Sequence, residues 1–305
     1  MSLIKKPGEI AHKETIACLI YGQSGMGKTT LACSAPAPVI FDFDNGITRV
    51  KDEYQVPTVQ VSSFKEAQEA LREVQAAGDE YKTIVIDTAS KMIDSIIYDI
   101  CGTAQPKLQQ WGLVNAAFKS FLRGVQQMGK NIVFIAQREV EKDGEANRYV
   151  PQFRASNYKD VICDLDVCGY MEMVTYKGQE VRQITFNPTS RNEGKNTAEF
   201  APAYIIHDLT GSNPNTFLTD RFAEYVSRQK EKAEKRATNA QAVNDAMEEF
   251  SNKLEQCNDA ECINALLDEA KATKAVGNLR IKMSQAISKK AKALNLKLNK
   301  DKRYE

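Results

Sequence analysis

The stretch Gly22-Gln23-Ser24-Gly25-Met26-Gly27-Lys28-Thr29-Thr30 constrains this chain more than any other part of it. It fits G-x-x-x-x-G-K-[ST] and follows the apolar run Ile16-Ala17-Cys18-Leu19-Ile20, which reads as a buried parallel strand. Gly22, Gly25 and Gly27 let the backbone curl with its N–H groups turned inward around a polyphosphate. Lys28 then reaches the outer phosphates, and the Thr29 hydroxyl is placed to ligate Mg²⁺. A helix opening at Lys28 adds the positive end of its dipole. A chance glycine turn is the bland alternative, and the strand before and helix after it argue against that. The stretch implies a bound nucleoside triphosphate.

The flanking pattern repeats strand and helix. Val39 to Asp44 reads as a second strand, turned by Asn45-Gly46, and Thr58 to Val61 as a third. Ser63 with Glu66 is a capping box for a helix to about Ala77. Thr83-Ile84-Val85-Ile86-Asp87 is a strand apolar along its length, with one carboxylate at its carboxyl end. Helices are expected at Ser90–Ile100 and Leu113–Met128, separated by a polar loop, and then a buried strand from Asn131 that ends at Gln137. Strands apolar on both faces and separated by helices imply a parallel sheet covered on both sides. After residue 160 the pattern changes, and Val167–Thr175 with Glu180–Phe186 around Lys177-Gly178 reads as an antiparallel hairpin. From about Asp220 the chain is helical, with a charged linker at Arg228–Arg236 and helices near 241–256, 259–274 and 279–294, the middle one capped by Asn258. The expected division is a core over residues 1–220 and a helical, basic region over 221–305.

Composition adds two bounds. Seven cysteines show no C-x-x-C pair and only two histidines accompany them, so neither a zinc site nor a disulfide framework is expected, and reduced thiols in a cytoplasmic protein are. No long apolar span appears, so no membrane partner is expected.

Asp87, at the end of an apolar strand downstream of a phosphate loop, is placed to hold Mg²⁺ beside Thr29. Hydrolysis also needs a group that orients or deprotonates water. Asp44 and Gln137, at carboxyl ends of strands, are the candidates, with Glu139 and a deeper Asp42 as further options. For Asp44 the structural alternative is an Asp-Asn-Gly turn, and for Gln137 a plain polar strand end.

With these residues in view, the chain resembles RecA-type ATPases. Phe41-Asp42-Phe43-Asp44-Asn45 looks like the strand that ends in the family's catalytic glutamate, and Phe134-Ile135-Ala136-Gln137-Arg138 resembles the one whose terminal glutamine senses the γ-phosphate. Trp111-Gly112 and the Gly22–Thr30 loop further resemble the phage branch, RecA-like ATPases that act in single-strand annealing. The resemblance spans about residues 14–210 and implies a RecA-like P-loop NTPase core with a mostly parallel central sheet, followed by an antiparallel hairpin and an α-helical C-terminal region. The implied cofactors are ATP and Mg²⁺. Lys28, Asp44, Asp87 and Gln137 take the catalytic roles, with aspartate at 44 where the family usually has glutamate. Partners implied are single-stranded DNA, further copies of the chain in a filament or ring, and a single-strand-binding protein. A basic residue supplied in trans is part of that scheme, and Arg191 and Lys195 are the candidates, with plain solvation as the alternative.

Single-stranded DNA is held by cations that track phosphates and by aromatic stacking. Residues 138–159 read as a DNA loop carrying Arg138, Lys142, Arg148, Arg154 and Lys159, interleaved with Tyr149, Phe153 and Tyr158. Its acidic residues Glu139, Glu141, Asp143 and Glu145 leave an ordinary loop as the alternative. The tail is more one-sided: Lys271 to Arg303 holds eleven basic residues against Asp301, although the whole chain is only +1. Lys289, Lys290 and Lys292 there form a candidate nucleic-acid patch beside an apolar stripe of Leu279, Ile281, Met283, Ile287, Ala291 and Leu294. A nucleotide-kinase-type phosphotransferase and a nucleotide-gated binding module with little hydrolysis remain as alternative readings.

Overall fold

A computed structural model of the protein describes residues 3–143, 146–153, 163–207, 209, 215–274 and 276–305. They form two compact units, Lys13–Ser227 and Met1–His12 with Arg228–Glu305.

The larger unit is α/β, with a mostly parallel sheet. Its strands are β1 (Ala17–Gly22), β2 (Pro38–Asp42), β3 (Thr58–Gln60), β4 (Thr83–Asp87), β5 (Asn131–Asp143), β6 (Ala146–Pro151), β7 (Val167–Tyr176), β8 (Gln179–Thr185), β9 (Lys195–Asn196) and β10 (Ala203–Ile206). The order across the sheet is β10-β8-β7-β1-β5-β4-β2-β3, with β6 paired to β5 and β9 to β7. β1 lies between β5 and β7, parallel to both. The β7–β8 hairpin turns at Lys177-Gly178, both at positive φ.

Alternation along the strands builds two cores. Leu19, Tyr21, Ile84, Ile86, Ile132 and Phe134 point to one face, under α2 (Phe64–Ala76), α3 (Ala89–Cys101) and α4 (Leu108–Gln127). Cys18, Ile20, Val85, Val133 and Ile135 point to the other, where Leu31 of α1 (Lys28–Ala32) and Leu218, Phe222 and Tyr225 of α5 (Phe217–Gln256) meet them. Burying each such aliphatic side chain is worth about 1.5–3 kcal/mol, which is why runs without a polar side can only be central strands. The start of α5 is tied to the end of α1: Leu218 N–H donates to Ser34 Oγ at 3.1 Å and Thr219 N–H to the Ser34 carbonyl at 3.0 Å.

Several boundaries differ from expectation. β2 ends at Asp42, so Asp44 lies in the turn beyond the strand. β5 does not stop at Gln137 but runs to Asp143 and pairs antiparallel with β6, with Arg138 opposite Pro151 and Lys142 opposite Asn147. The described part of the expected 138–159 loop is therefore a β-ribbon up to Pro151; Arg154, Tyr158 and Lys159 lie outside the described residues. α4 begins at Leu108, taking Trp111 and Gly112 into the helix. Trp111 is half-buried against the core, an anchor for its helix.

The smaller unit packs the later part of α5 with α6 (Ala260–Ala272) and α7 (Leu279–Ala293) around Phe250, Leu254, Ile263, Leu266, Met283 and Ile287. The linker and the first expected tail helix are thus one 40-residue helix. Asp259, not Asn258, caps α6, accepting from Cys262 N–H at 2.8 Å. Cys257 and Cys262 form a disulfide across that turn, against the expectation of reduced thiols; the other five cysteines are free. Leu279, Met283, Ile287 and Ala291 recur every four residues and are buried, whereas Ile281 falls on the opposite side and is 61% exposed. No helix among the described residues is long and apolar enough to cross a membrane.

Candidate functional site

The loop after β1 depends on glycine at two points. A Cβ on Gly22 would stand 2.4 Å from the Met171 carbonyl oxygen of neighbouring β7, so the strand can pass there only without a side chain. Gly27 has φ +83°, in the left-handed region, and a Cβ on it would meet Leu209 Cδ1 at 2.7 Å. The loop then opens α1, whose first residue is Lys28.

Beside it lies a cavity of about 500 Å³, lined by Ser24, Gly25, Gly27, Lys28, Thr29 and Thr30 of the loop. Asp44, Gly46, Arg49 and Val50 after β2, Asp87 of β4, Ile135 and Gln137 of β5, and Arg182 and Leu209 complete the lining. Strand order explains the gathering: β5 lies between β1 and β4, and register sets Gly22 against Gln137. All four expected catalytic residues, Lys28, Asp44, Asp87 and Gln137, are therefore brought together. Gly22, Gln23 and Met26 do not line the cavity; their carbonyls hold side chains that do.

Lys28 is almost fully buried. Its ammonium donates to the Gly22 carbonyl at 3.1 Å, the Gln23 carbonyl at 2.8 Å and Gln137 Oε1 at 3.1 Å. Burial pulls its pKa down to about 8, against the opposing pull of Asp87 and Asp44. Thr29 Oγ1 donates to Asp87 Oδ2 at 2.6 Å. Burial pushes the Asp87 carboxyl up to about 6; the Thr29 hydroxyl lowers it, Asp44 and Asp42 raise it, and Lys28 lowers it. A hydroxyl and a carboxylate oxygen in one corner, next to a loop of N–H groups, suit Mg²⁺, which takes hard oxygen ligands and keeps several waters.

Asp42 and Asp44 divide the work the sequence left open. Asp42 is buried, and its two oxygens accept from the N–H groups of Asp44 at 3.2 Å, Gly46 at 2.9 Å and Ile47 at 3.0 Å. It holds the turn and faces no water. Asp44 is left on the cavity wall, paired with Arg49 at 3.4 Å. A Cβ on Gly46 would lie 2.8 Å from Asp44 Oδ1 and 3.3 Å from Asp87 Oδ2, so these two carboxylates share one small space. Glu139 is exposed on the ribbon, and the cavity lining does not include it.

Sequence reasoning missed Arg49 and Arg182. Arg182 Nε donates to the Met26 carbonyl at 3.0 Å. One signal was legible: Arg182 is two residues before the core residue Ile184, so strand alternation aims it at the face that carries α1. Arg49 had no such signal, since it belongs to a short 3₁₀ turn.

The other candidates lie elsewhere. Arg191 pairs with Glu172 at 3.2 Å and stands over the Tyr149 ring at 5.2 Å; Lys195 donates to the Cys163 carbonyl at 2.7 Å. Neither is among the residues lining the cavity. On the ribbon, Lys142 is exposed, Arg148 pairs with Glu193 at 2.8 Å, and Arg138 donates to the Tyr170 hydroxyl at 3.1 Å with its guanidinium 4.5 Å from the Tyr149 ring centre. Tyr170 stacks in turn on Tyr149 at 5.4 Å and packs at a tilt against Tyr21 at 5.1 Å. Two of the three described ribbon cations are thus engaged within the chain. In the tail, Lys289 and Lys292 are exposed, but Lys290 donates to the Glu255 carbonyl at 3.1 Å, near the end of α5.

The family model described as "AAA domain" matches residues 14–198. No curated protein matches the chain. Among solved structures, the chain is similar to the flagellar accessory protein FlaH from Methanocaldococcus jannaschii, with 12% identity, coverage of 69% of this chain and 90% of that one, and a TM-score of 0.39.

Proposed function

Because the chain belongs to the AAA-domain family and carries a phosphate-loop site for a nucleotide, we propose that it is an ATP-hydrolysing, RecA-like protein that binds single-stranded DNA and promotes annealing or strand exchange of the phage-recombination kind. The observation that carries the reading is the position of Gln137. It accepts from Lys28 at the cavity, and its neighbour Arg138 packs into a cluster of Tyr149, Tyr170 and Tyr21 that joins the ribbon to the loop strand. A change in what Gln137 bonds is thereby coupled to the ribbon through adjacent residues of one strand.

In this reading Lys28 and the loop amides neutralise the outer phosphates. Thr29 and Asp87 would hold Mg²⁺, which supplies charge neutralisation at the phosphate oxygens. Asp44 orients the attacking water and accepts its proton, and Gln137 bonds the γ-phosphate. The Asp44–Arg49 pair and the short aspartate side chain favour slow turnover, which makes the ATP state a long-lived switch. Lys142 on the ribbon and Lys289 and Lys292 of the tail are the exposed cations offered to DNA. Assembly into a ring or filament belongs to the same proposal. A role in trans for Arg191 or Lys195 requires each to leave its present partner in its own chain.

The test is single-stranded DNA affinity across a salt series, with and without ATP. A steep salt dependence and an ATP effect of at least a few fold are expected. A flat salt response with no ATP effect contradicts the proposal. Comparing turnover of the native chain with Asp44→Glu and Asp44→Asn checks the water-orienting role: Asp44→Asn should lose hydrolysis.

A further inference from the structure

The cavity has two chemically different ends. Lys28, Thr29, Asp87, Asp44 and Gln137 gather on the β5 and β4 side of β1. These are the groups that deal with terminal phosphates and their cation. Across β1, in the direction of β7 and β8, the wall is Arg182 with Leu209. A nucleotide with its last phosphate at Gln137 and its chain along the loop amides has its nucleoside at this second end.

Arg182 suits that position. Its Nε is fixed on the Met26 carbonyl at 3.0 Å and lies 3.7 Å from where a Cβ on Gly27 would stand, while Leu209 touches the same point. Among the described residues no carboxylate pairs with Arg182. One anchored nitrogen leaves a planar cation with its orientation set, and a guanidinium plane packs on the face of an aromatic base.

We propose that Arg182 binds the nucleoside end of the nucleotide from within the same chain, its guanidinium face against the base and Leu209 beside it. The proposal rests on the reading of this cavity as the nucleotide site. A stacked guanidinium accepts any base, so the contact adds affinity without selecting adenine.

The experiment measures affinities of ATP, ADP and inorganic tripolyphosphate, each with Mg²⁺ and by competition against a fluorescent nucleotide, for the native chain, Arg182→Ala and Arg182→Lys. Both variants should lose about tenfold for ATP and ADP alike, while tripolyphosphate changes less than about twofold. An equal loss for tripolyphosphate assigns Arg182 to shaping the loop or binding phosphate and overturns the proposal. So does unchanged nucleotide affinity, a loss confined to ATP, or full recovery in Arg182→Lys, which keeps the charge without the plane. Arg182→Lys also retains a donor for Met26, so it decides the matter if Arg182→Ala does not fold. Failure of the native chain to bind either nucleotide overturns the underlying site reading, and is distinct from all of these.

Discussion

Cations are used differently in the two units of this chain. In Lys13–Ser227, Lys28 and Lys130 are buried, and Lys130 donates to the carbonyls of Gly78 and Tyr81 much as Lys28 does to Gly22 and Gln23. A desolvated ammonium is tolerated only where fixed acceptors replace its water, so each of these lysines defines a geometry. Among the described residues of the helical unit no lysine or arginine is buried. Arg303 pairs with Asp268, Lys253 bridges Glu249 and Glu269, and Lys289 and Lys292 face solvent. There the charges act as a field, each replaceable by another nearby. Charge density, the sequence's loudest electrostatic signal, is highest where each single charge matters least.

Five variants can break or sharpen that contrast, beginning with the largest effect. Lys28→Ala should lower ATP affinity by at least about a hundredfold, because a desolvated charge at the phosphates has no substitute. Its melting temperature should hardly fall, since the buried ammonium disappears as well; titration calorimetry and thermal melting read both. Retained affinity would mean the loop is not the site. Next, Asp42→Asn should cost about 2–3 kcal/mol in urea denaturation, because an amide cannot accept all three turn N–H groups. An unchanged midpoint would remove Asp42 from its turn-holding role.

Gln137→Ala should slow hydrolysis by about ten- to thirtyfold and leave ADP affinity unchanged if, as proposed, the one nucleotide group it bonds is the terminal phosphate. Equal loss for ADP would place Gln137 in general loop support. The smallest effect belongs to the helical unit. Lys289→Gln with Lys292→Gln should reduce the salt slope of DNA binding by about two and leave ATP turnover untouched. Lys290→Gln, by contrast, should cost about 0.5 kcal/mol of stability through the lost contact at the end of α5. If Lys290 behaved like its two neighbours, its contact with the Glu255 carbonyl would carry no stability.

Legibility in the sequence followed the range of the interaction involved. The phosphate loop, the strands at 83–87 and 167–176, and the helix after Ser63 were readable because glycine spacing, apolar runs and a capping serine are local. At Ser63 the side chain accepts from Glu66 N–H at 3.2 Å, although Glu66 reaches back to Ser62 rather than to Ser63. The end of β5 was misread because an alternating stretch with charges on both faces looks like a loop until β6 is there to pair with it. Asp259 displaced Asn258 as a cap for a related reason: adjacent residues both suit the position, and the first turn of the helix selects one.

By itself the sequence determined that a nucleotide is bound after the first strand and that a parallel sheet supports the loop. Backbone geometry and hydrophobic periodicity act within a few residues, so they are written consecutively. The tertiary structure alone decided which polar groups line the cavity beside that loop. Lys28 meets Gln137 across 109 residues and Arg182 meets Met26 across 156, and both contacts exist only because of the order in which strands are laid into the sheet. A local turn, closed by N–H groups two to five residues on, separated Asp42 from Asp44 into a buried clasp and a carboxylate on the cavity wall.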